Sequence, residues 1–164
     1  MASKKLALLG CAVLLTTASG CPATGGVALR SDGSPRAQEC PEKAREAMNY
    51  LRMFVGEAAW VQLDANQTRA RPITLYDGNI ESVLEENIGL LEAPARLYGR
   101  VWTDGPQVVI RYYAAQPVKG GDQVPICAVA RLGQGQLRKR PESKPGTAIL
   151  DSPRAGVYIV NEFR

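Results

Sequence analysis

Histidine is absent from this sequence. That removes Ser-His and Cys-His nucleophilic machinery and every histidine-based metal site, leaving acid–base chemistry to Lys, Asp, Glu and Tyr. Long hydrophobic runs are lacking as well. Leu6–Leu15, the longest uncharged apolar stretch, has ten residues, about half of the roughly 20 that a helix needs to cross a bilayer core. A strong charge bias is also missing: 20 basic residues face 16 acidic ones in 164. A balance that mild does not suit nucleic acid as a main partner.

What is present begins with an address. Met1–Lys5 carries two lysines and no acid, Leu6–Leu15 follows as the apolar core, and Thr16–Gly20 is small and polar. This is the layout of a secretory signal. Ala18-Ser19-Gly20-Cys21 resembles the lipobox of bacterial lipoproteins at its last three positions, with Ala18 where Leu is usual. The motif makes Cys21 the expected lipidated residue after removal of residues 1–20. Ala18 and Gly20 also satisfy ordinary signal-peptidase cleavage, which would give a secreted protein with an unmodified Cys21. Leu8-Leu9-Gly10-Cys11 resembles the motif too, but cleavage there would leave only a vestige of the apolar core.

Cleavage before Cys21 reorganises the remaining numbers. It leaves 144 residues, enough for one domain with a real core. Lys4 and Lys5 are lost, so 18 basic residues face 16 acidic ones. Of the four cysteines, Cys11 leaves with the signal and Cys21 takes the lipid, so Cys40 and Cys127 remain as a pair. In an oxidising compartment that pair is an expected disulfide. Two isolated cysteines without histidine make poor zinc ligands, and no metal or cofactor is expected. Free thiols are the alternative.

Pro22–Glu39 is rich in Gly, Ser, Pro and Ala and reads as a flexible tether between lipid and domain. Residues 40–164 then form a single domain. Cys40-Pro41 opens a helix, with Pro41 expected at its first position and Gly56 as its stop. Ala44, Ala47, Met48, Leu51 and Val55 form its apolar stripe. From Ala58 onward the texture is β. Strands are expected at Trp60–Asp64, Pro72–Tyr76, Val124–Arg131, Thr147–Leu150 and Val157–Phe163. Ile80–Leu91 fits a helix or a strand. The clearest unit is a hairpin, Arg96–Ala114, turning at Asp104-Gly105 and pairing Trp102 with Gln107 and Tyr98 with Arg111. The fold class is therefore mainly β with one N-terminal helix: a compact antiparallel meander, closed as a small barrel or stacked as a sandwich.

The hairpin carries the best candidate binding face. Arg96, Tyr98, Arg100, Trp102, Val109, Arg111 and Tyr113 share one side, where guanidinium groups and rings could stack on sugars or grip acidic groups. A solvated outer face with cross-strand Arg–Tyr pairs, or burial of Trp102 and Tyr98 under another strand, would explain the same pattern. Leu137-Arg138-Lys139-Arg140 and Lys144 make residues 105–164 basic, nine Lys/Arg against four Asp/Glu. This suits anionic headgroups or peptidoglycan carboxylates, and equally a solvated loop. Glu81, Glu85 and Glu86 lie together on one segment and read as a wet face rather than an acid pair across a cleft. Gly133-Gln134-Gly135 and Ser143-Lys144-Pro145-Gly146 read as turns, not as a phosphate loop or a serine–lysine dyad.

Leu97-Tyr98-Gly99-Arg100-Val101-Trp102-Thr103, Val124-Pro125-Ile126-Cys127 and Ser143-Lys144-Pro145-Gly146 together resemble a family of small myxobacterial lipoproteins over Cys40–Arg164. The resemblance favours strand for Ile80–Leu91 and implies no established activity. Some members of that family bear a serine/threonine-kinase label. This chain lacks the catalytic-loop His, an Asp-Phe-Gly and a strand Lys in a Val-Ala-Ile-Lys setting. The strand–turn–strand rhythm of residues 89–135 is also similar to the β-barrel domain of conjugation and secretion channel proteins, an analogy of fold only. The expected function is that of a non-enzymatic envelope lipoprotein. It would sit on the periplasmic face of the outer membrane as an interaction or structural module, contacting an envelope protein, peptidoglycan or carbohydrate. A carbohydrate- or hydrolase-binding module is the alternative reading, with inner-membrane anchoring or secretion as alternative locations.

Overall fold

A computed structural model describes residues 26–133 and 135–164. The expected signal, Cys11, Cys21, residues 22–25 and Gln134 lie outside the described residues. Ten strands and one helix follow in order: β1 (Gln38–Glu39), α1 (Glu42–Tyr50), β2 (Ala58–Gln62), β3 (Ile73–Tyr76), β4 (Gly78–Leu84), β5 (Arg96–Trp102), β6 (Val109–Gln116), β7 (Val124–Arg131), β8 (Thr147–Leu150), β9 (Arg154–Ile159) and β10 (Glu162–Phe163). Six of them close into an antiparallel barrel in the order β2-β4-β5-β6-β7-β9, with β9 returning to β2. Closure leaves the barrel strands without a free sheet edge. The two excursions from the barrel, β3 and β8, pair with each other as a separate ribbon, and β1 pairs with β10.

Alternation along the strands decides what fills the barrel. Val61, Leu84, Leu97, Val101, Ile110, Ala130, Ala155 and Val157 are all buried, and their neighbours in sequence point the other way. A barrel of this size has room for side chains alone. Among the described residues Ser82 and Tyr112 share the interior and bond each other, while the buried Thr103 Oγ1 has no partner. Ser82 Oγ donates to the Leu63 carbonyl at 2.6 Å, so the Tyr112 hydroxyl, 2.7 Å from Ser82 Oγ, donates to it. Burial raises the Tyr112 pKa, opposed by the Ser82 hydrogen bond.

Helix α1 packs Ala44 and Met48, one turn apart, across β7. The Met48 thioether accepts the Cys127 amide at 3.3 Å. Cys40 and Cys127 form the expected disulfide, with Cα atoms 5.9 Å apart. The expected helix boundaries shift. Pro41 is the residue before the first helical position, and the helix stops at Tyr50 rather than near Gly56. The stop is a Schellman motif: Met53 N–H donates to Met48 O, Arg52 N–H donates to Asn49 O, and Arg52 takes the left-handed conformation with φ 54°. A non-glycine residue pays about 1–2 kcal/mol there. Arg52→Gly is therefore expected to stabilise the fold by about 1 kcal/mol, read as a raised thermal midpoint; a lowered midpoint would contradict this account of the helix end.

Val124–Arg131 and Thr147–Leu150 are strands with the expected bounds, whereas other elements differ from expectation. Ile80–Leu91 divides: β4 ends at Leu84, and Glu85–Leu91 turns back through an Ile88–Leu91 bridge. Val157–Phe163 also divides, into β9 and β10. In the hairpin Trp102 pairs with Val109 and Arg100 with Arg111, two residues from the expected register. A two-residue slip leaves the side chains between the turn and the bulge on their expected faces. Val108 is drawn out of the hairpin because its N–H bonds the Leu137 carbonyl. A bulge next to Tyr98/Gly99 then leaves Tyr113 as the extra residue. Gly99 is required at this bulge, since a Cβ there would collide with the Arg111 carbonyl.

The largest difference concerns residues 28–39, which belong to the expected tether Pro22–Glu39. They form a strap over the barrel. Leu29 bridges Pro35, the Arg36 amide bonds the Ala28 carbonyl at 2.8 Å, Pro35 is buried, and β1 joins β10. Any tether between Cys21 and the folded body is therefore no longer than about seven residues, and the domain starts near Ala28 rather than at Cys40.

Candidate functional site

The hairpin face splits under the strap. Arg111 is fully buried and Trp102 is 3 % exposed. The Arg111 guanidinium lies 5.5 Å from the centre of the Trp102 ring and 5.2 Å from that of Phe163. Its Nη2 donates to the Arg36 carbonyl at 2.9 Å and, at 3.4 Å, to that of Pro35. Tyr113 packs edge-on against Phe163 at 5.1 Å. Burial lowers the Arg111 pKa, opposed by Tyr113, and burial raises that of Tyr113, opposed by Arg111. Arginine nonetheless stays charged. No carboxylate faces Arg111 among the described residues. Arg111, Trp102, Phe163 and Tyr113 thus form a small second core that clamps the strap.

The rest of the face is open. Arg96 is exposed and paired with Glu81. Arg100 stands 5.4 Å from the centre of the Trp102 ring and 3.7 Å from Asp77. Tyr98 is half-buried and lines a shallow depression of about 350 Å³ together with Asn79, Tyr113 and Gln123. As a contact surface the structure therefore offers Arg96, Tyr98 and Arg100, and withholds Trp102 and Arg111.

The basic run is partly structural. Leu137 is buried, Lys139 Nζ donates to the Thr103 carbonyl, and Arg140 pairs with Asp151 at 2.6 Å. Arg138 lines a cleft of about 410 Å³ whose other charges, Arg154 and Asp151, are engaged by Glu85 and Arg140. Ser143 turns the chain: its hydroxyl donates to the Arg140 carbonyl and accepts the Ile149 amide. Leu132 and Gly135 bond each other across the tip that contains Gly133. No group of metal-ligating side chains forms among the described residues, and no described helix is long and apolar enough to cross a membrane.

One constellation escaped the sequence reading. Trp60, on the outer side of β2, is 40 % exposed. Its cross-strand partner is Gly156, and Tyr158 stands opposite Ala58. The Arg154 guanidinium lies 5.0 Å from the centre of the indole and is bound by Glu85, which also takes Gln62. Glu86 accepts the Trp60 amide at 3.2 Å. Glu85 and Glu86 are thus more than a wet face: one orients a guanidinium, the other accepts a backbone N–H from the middle of β2. The only sequence signal was an exposed-phase Trp in a short alternating strand, because its partners sit at the far end of the chain.

No protein-family model matches the chain, and no curated protein matches it.

Proposed function

We propose that this protein is a lipid-anchored, non-enzymatic module of the bacterial envelope that works through the outside of its barrel. The observation that carries this reading is the packed interior. Among the described residues the barrel is filled by side chains, with the Ser82–Tyr112 hydrogen bond inside it, so ligand contacts are left to the surface. The compartment rests on the sequence: a basic start, ten apolar residues and Ala18-Ser19-Gly20-Cys21. The Cys40–Cys127 bridge is in keeping with an oxidising compartment.

In this reading Cys21 holds the protein on the periplasmic face of the outer membrane. The strap continues from the anchor with few residues between, so the barrel stays close to the bilayer. Residues 22–28 span at most about 25 Å when fully extended. The open part of the hairpin face, Arg96, Tyr98 and Arg100, is the first contact surface for an envelope protein. Cys21→Ser is expected to move the protein from the membrane to the soluble fraction, read by fractionation and immunoblotting. Unchanged membrane association would count against lipidation.

A carbohydrate-binding role is the second reading, and one observation favours it: the exposed Trp60 set among Tyr158, Gly156 and Glu86.

A further inference from the structure

Trp60 is open, and its surroundings are fixed. Glycine at position 156 keeps the floor beside it flat. Tyr158 lies over that floor, such that a Cβ on Gly156 would stand 3.0 Å from Tyr158 Cε2. The Tyr158 hydroxyl is held by the Gly133 carbonyl at 3.1 Å. The Glu85–Arg154 pair props the indole, and Arg154 does not line the depression of about 200 Å³ that Trp60 shares with Tyr158, Gly156 and Glu86. Glu86 spends Oε2 on the Trp60 amide, and no described residue takes its other oxygen.

We propose that this depression is a carbohydrate subsite for a neutral pyranose ring of an envelope glycan. A pyranose has an apolar C–H face and a rim of hydroxyl donors. The rigid indole matches the first, and a carboxylate beside it accepts from the second. An apolar side chain from a protein partner would cover the indole but leave the free Glu86 oxygen without a donor. The same carboxylate sets a preference: an acidic sugar meets Glu86 as a like charge and is disfavoured. This deepens the proposed interaction role by naming a ligand class. It takes only its setting from that reading, because the site lies on the barrel and not on the anchor.

The test uses the full chain, purified in detergent and titrated with N-acetylglucosamine oligosaccharides by calorimetry and by intrinsic fluorescence. The chain has two tryptophans, and Trp102 is buried, so Trp60 dominates a ligand-induced change. Saturable binding is expected, with a fluorescence shift, at least tenfold weaker calorimetric affinity in Trp60→Ala, and a smaller loss in Glu86→Gln. A uronic-acid oligosaccharide is expected not to compete. Circular dichroism of both variants checks the fold. Absence of saturable binding would overturn the proposal, as would binding unchanged by Trp60→Ala. So would Trp60→Ala abolishing a protein crosslink in cells while sparing glycan binding. Binding that persists equally in the unlipidated Cys21→Ser chain would support the site whatever becomes of the anchor.

Discussion

Replacing Cys40 and Cys127 together by Ala is expected to lower the unfolding free energy by about 4–5 kcal/mol, the chain-entropy value for so long a loop. The bridge spans 87 residues of sequence, so the unfolded chain without it gains nearly the freedom of a complete domain. Its position adds a local consequence. Cys40 joins β1 to α1, and Cys127 lies in β7, the strand that α1 crosses. Without the bridge, α1 keeps Ala44 and Met48 on the barrel, while β1 keeps two residue pairs with β10. Urea unfolding should show a much lower midpoint for the double variant, and the same drop for the native protein under reductant. A midpoint unmoved by either would mean that the bridge adds nothing to the barrel's own closure.

Arg111→Ala is expected to cost about 2–4 kcal/mol and to release the strap. Cation–π contact with two desolvated rings contributes up to about 2 kcal/mol or more, and charged hydrogen bonds to carbonyls about 1.5–3 kcal/mol. Against these stands the penalty of a buried cation whose Nε and Nη1 find no partner. The net effect stays destabilising because truncation also opens a void between Trp102 and Phe163. Arg111→Met separates the two contributions. It refills much of the space and removes the charge, so global stability should fall less than in the Ala variant. The strap should loosen in both, since the Pro35 and Arg36 carbonyls lose their donor. Hydrogen exchange at the Arg30 and Arg36 amides, which bond Ser34 and Ala28 across the strap, reads this directly. Full protection of those amides in Arg111→Ala would show that Arg111 does not clamp the strap.

The strap marks where sequence reasoning and structure part. Residues 28–39 carry few apolar side chains, and composition alone says such a segment cannot fold. It folds because its partners are distant. Pro35 and Arg36 offer carbonyls to Arg111, Gly33 approaches Asp104, Ser34 approaches Gly105, and β1 finds β10. Close backbone approach and carbonyl-to-guanidinium bonds leave no periodic trace. The hairpin is legible because alternation and a face of Arg and aromatic residues are local signals, whereas its register is not, since Asp104-Gly105 implies a tighter turn than the one between Trp102 and Val109. What was not legible was that the strap covers half of that face, which turned Trp102 and Arg111 from candidate contacts into a second core.

The barrel shows the same division. Its strands announced themselves by short alternating runs, and the β class with one helix follows from those. Closure instead of stacking depends on β9 returning to β2, a pairing between residues near 60 and near 156 that no local pattern encodes. The Trp60 depression has the same origin, since Gly156 and Tyr158 reach Trp60 only through that closing pair. The Schellman stop at Arg52 was hidden for the opposite reason: a residue without glycine's freedom occupies the left-handed position, so Gly56 looked like the better stop.

We propose Cys21 as the anchor, from which a short tether would hold the barrel near a membrane. Trypsin would release the N-terminal peptide of the mature protein as Cys21–Arg30, and the mass of that peptide, taken from the membrane fraction, is the most direct test. Lipidation predicts a peptide that begins at Cys21 and carries acyl groups. An unmodified Cys21 peptide, or one still joined to the preceding signal, would contradict it.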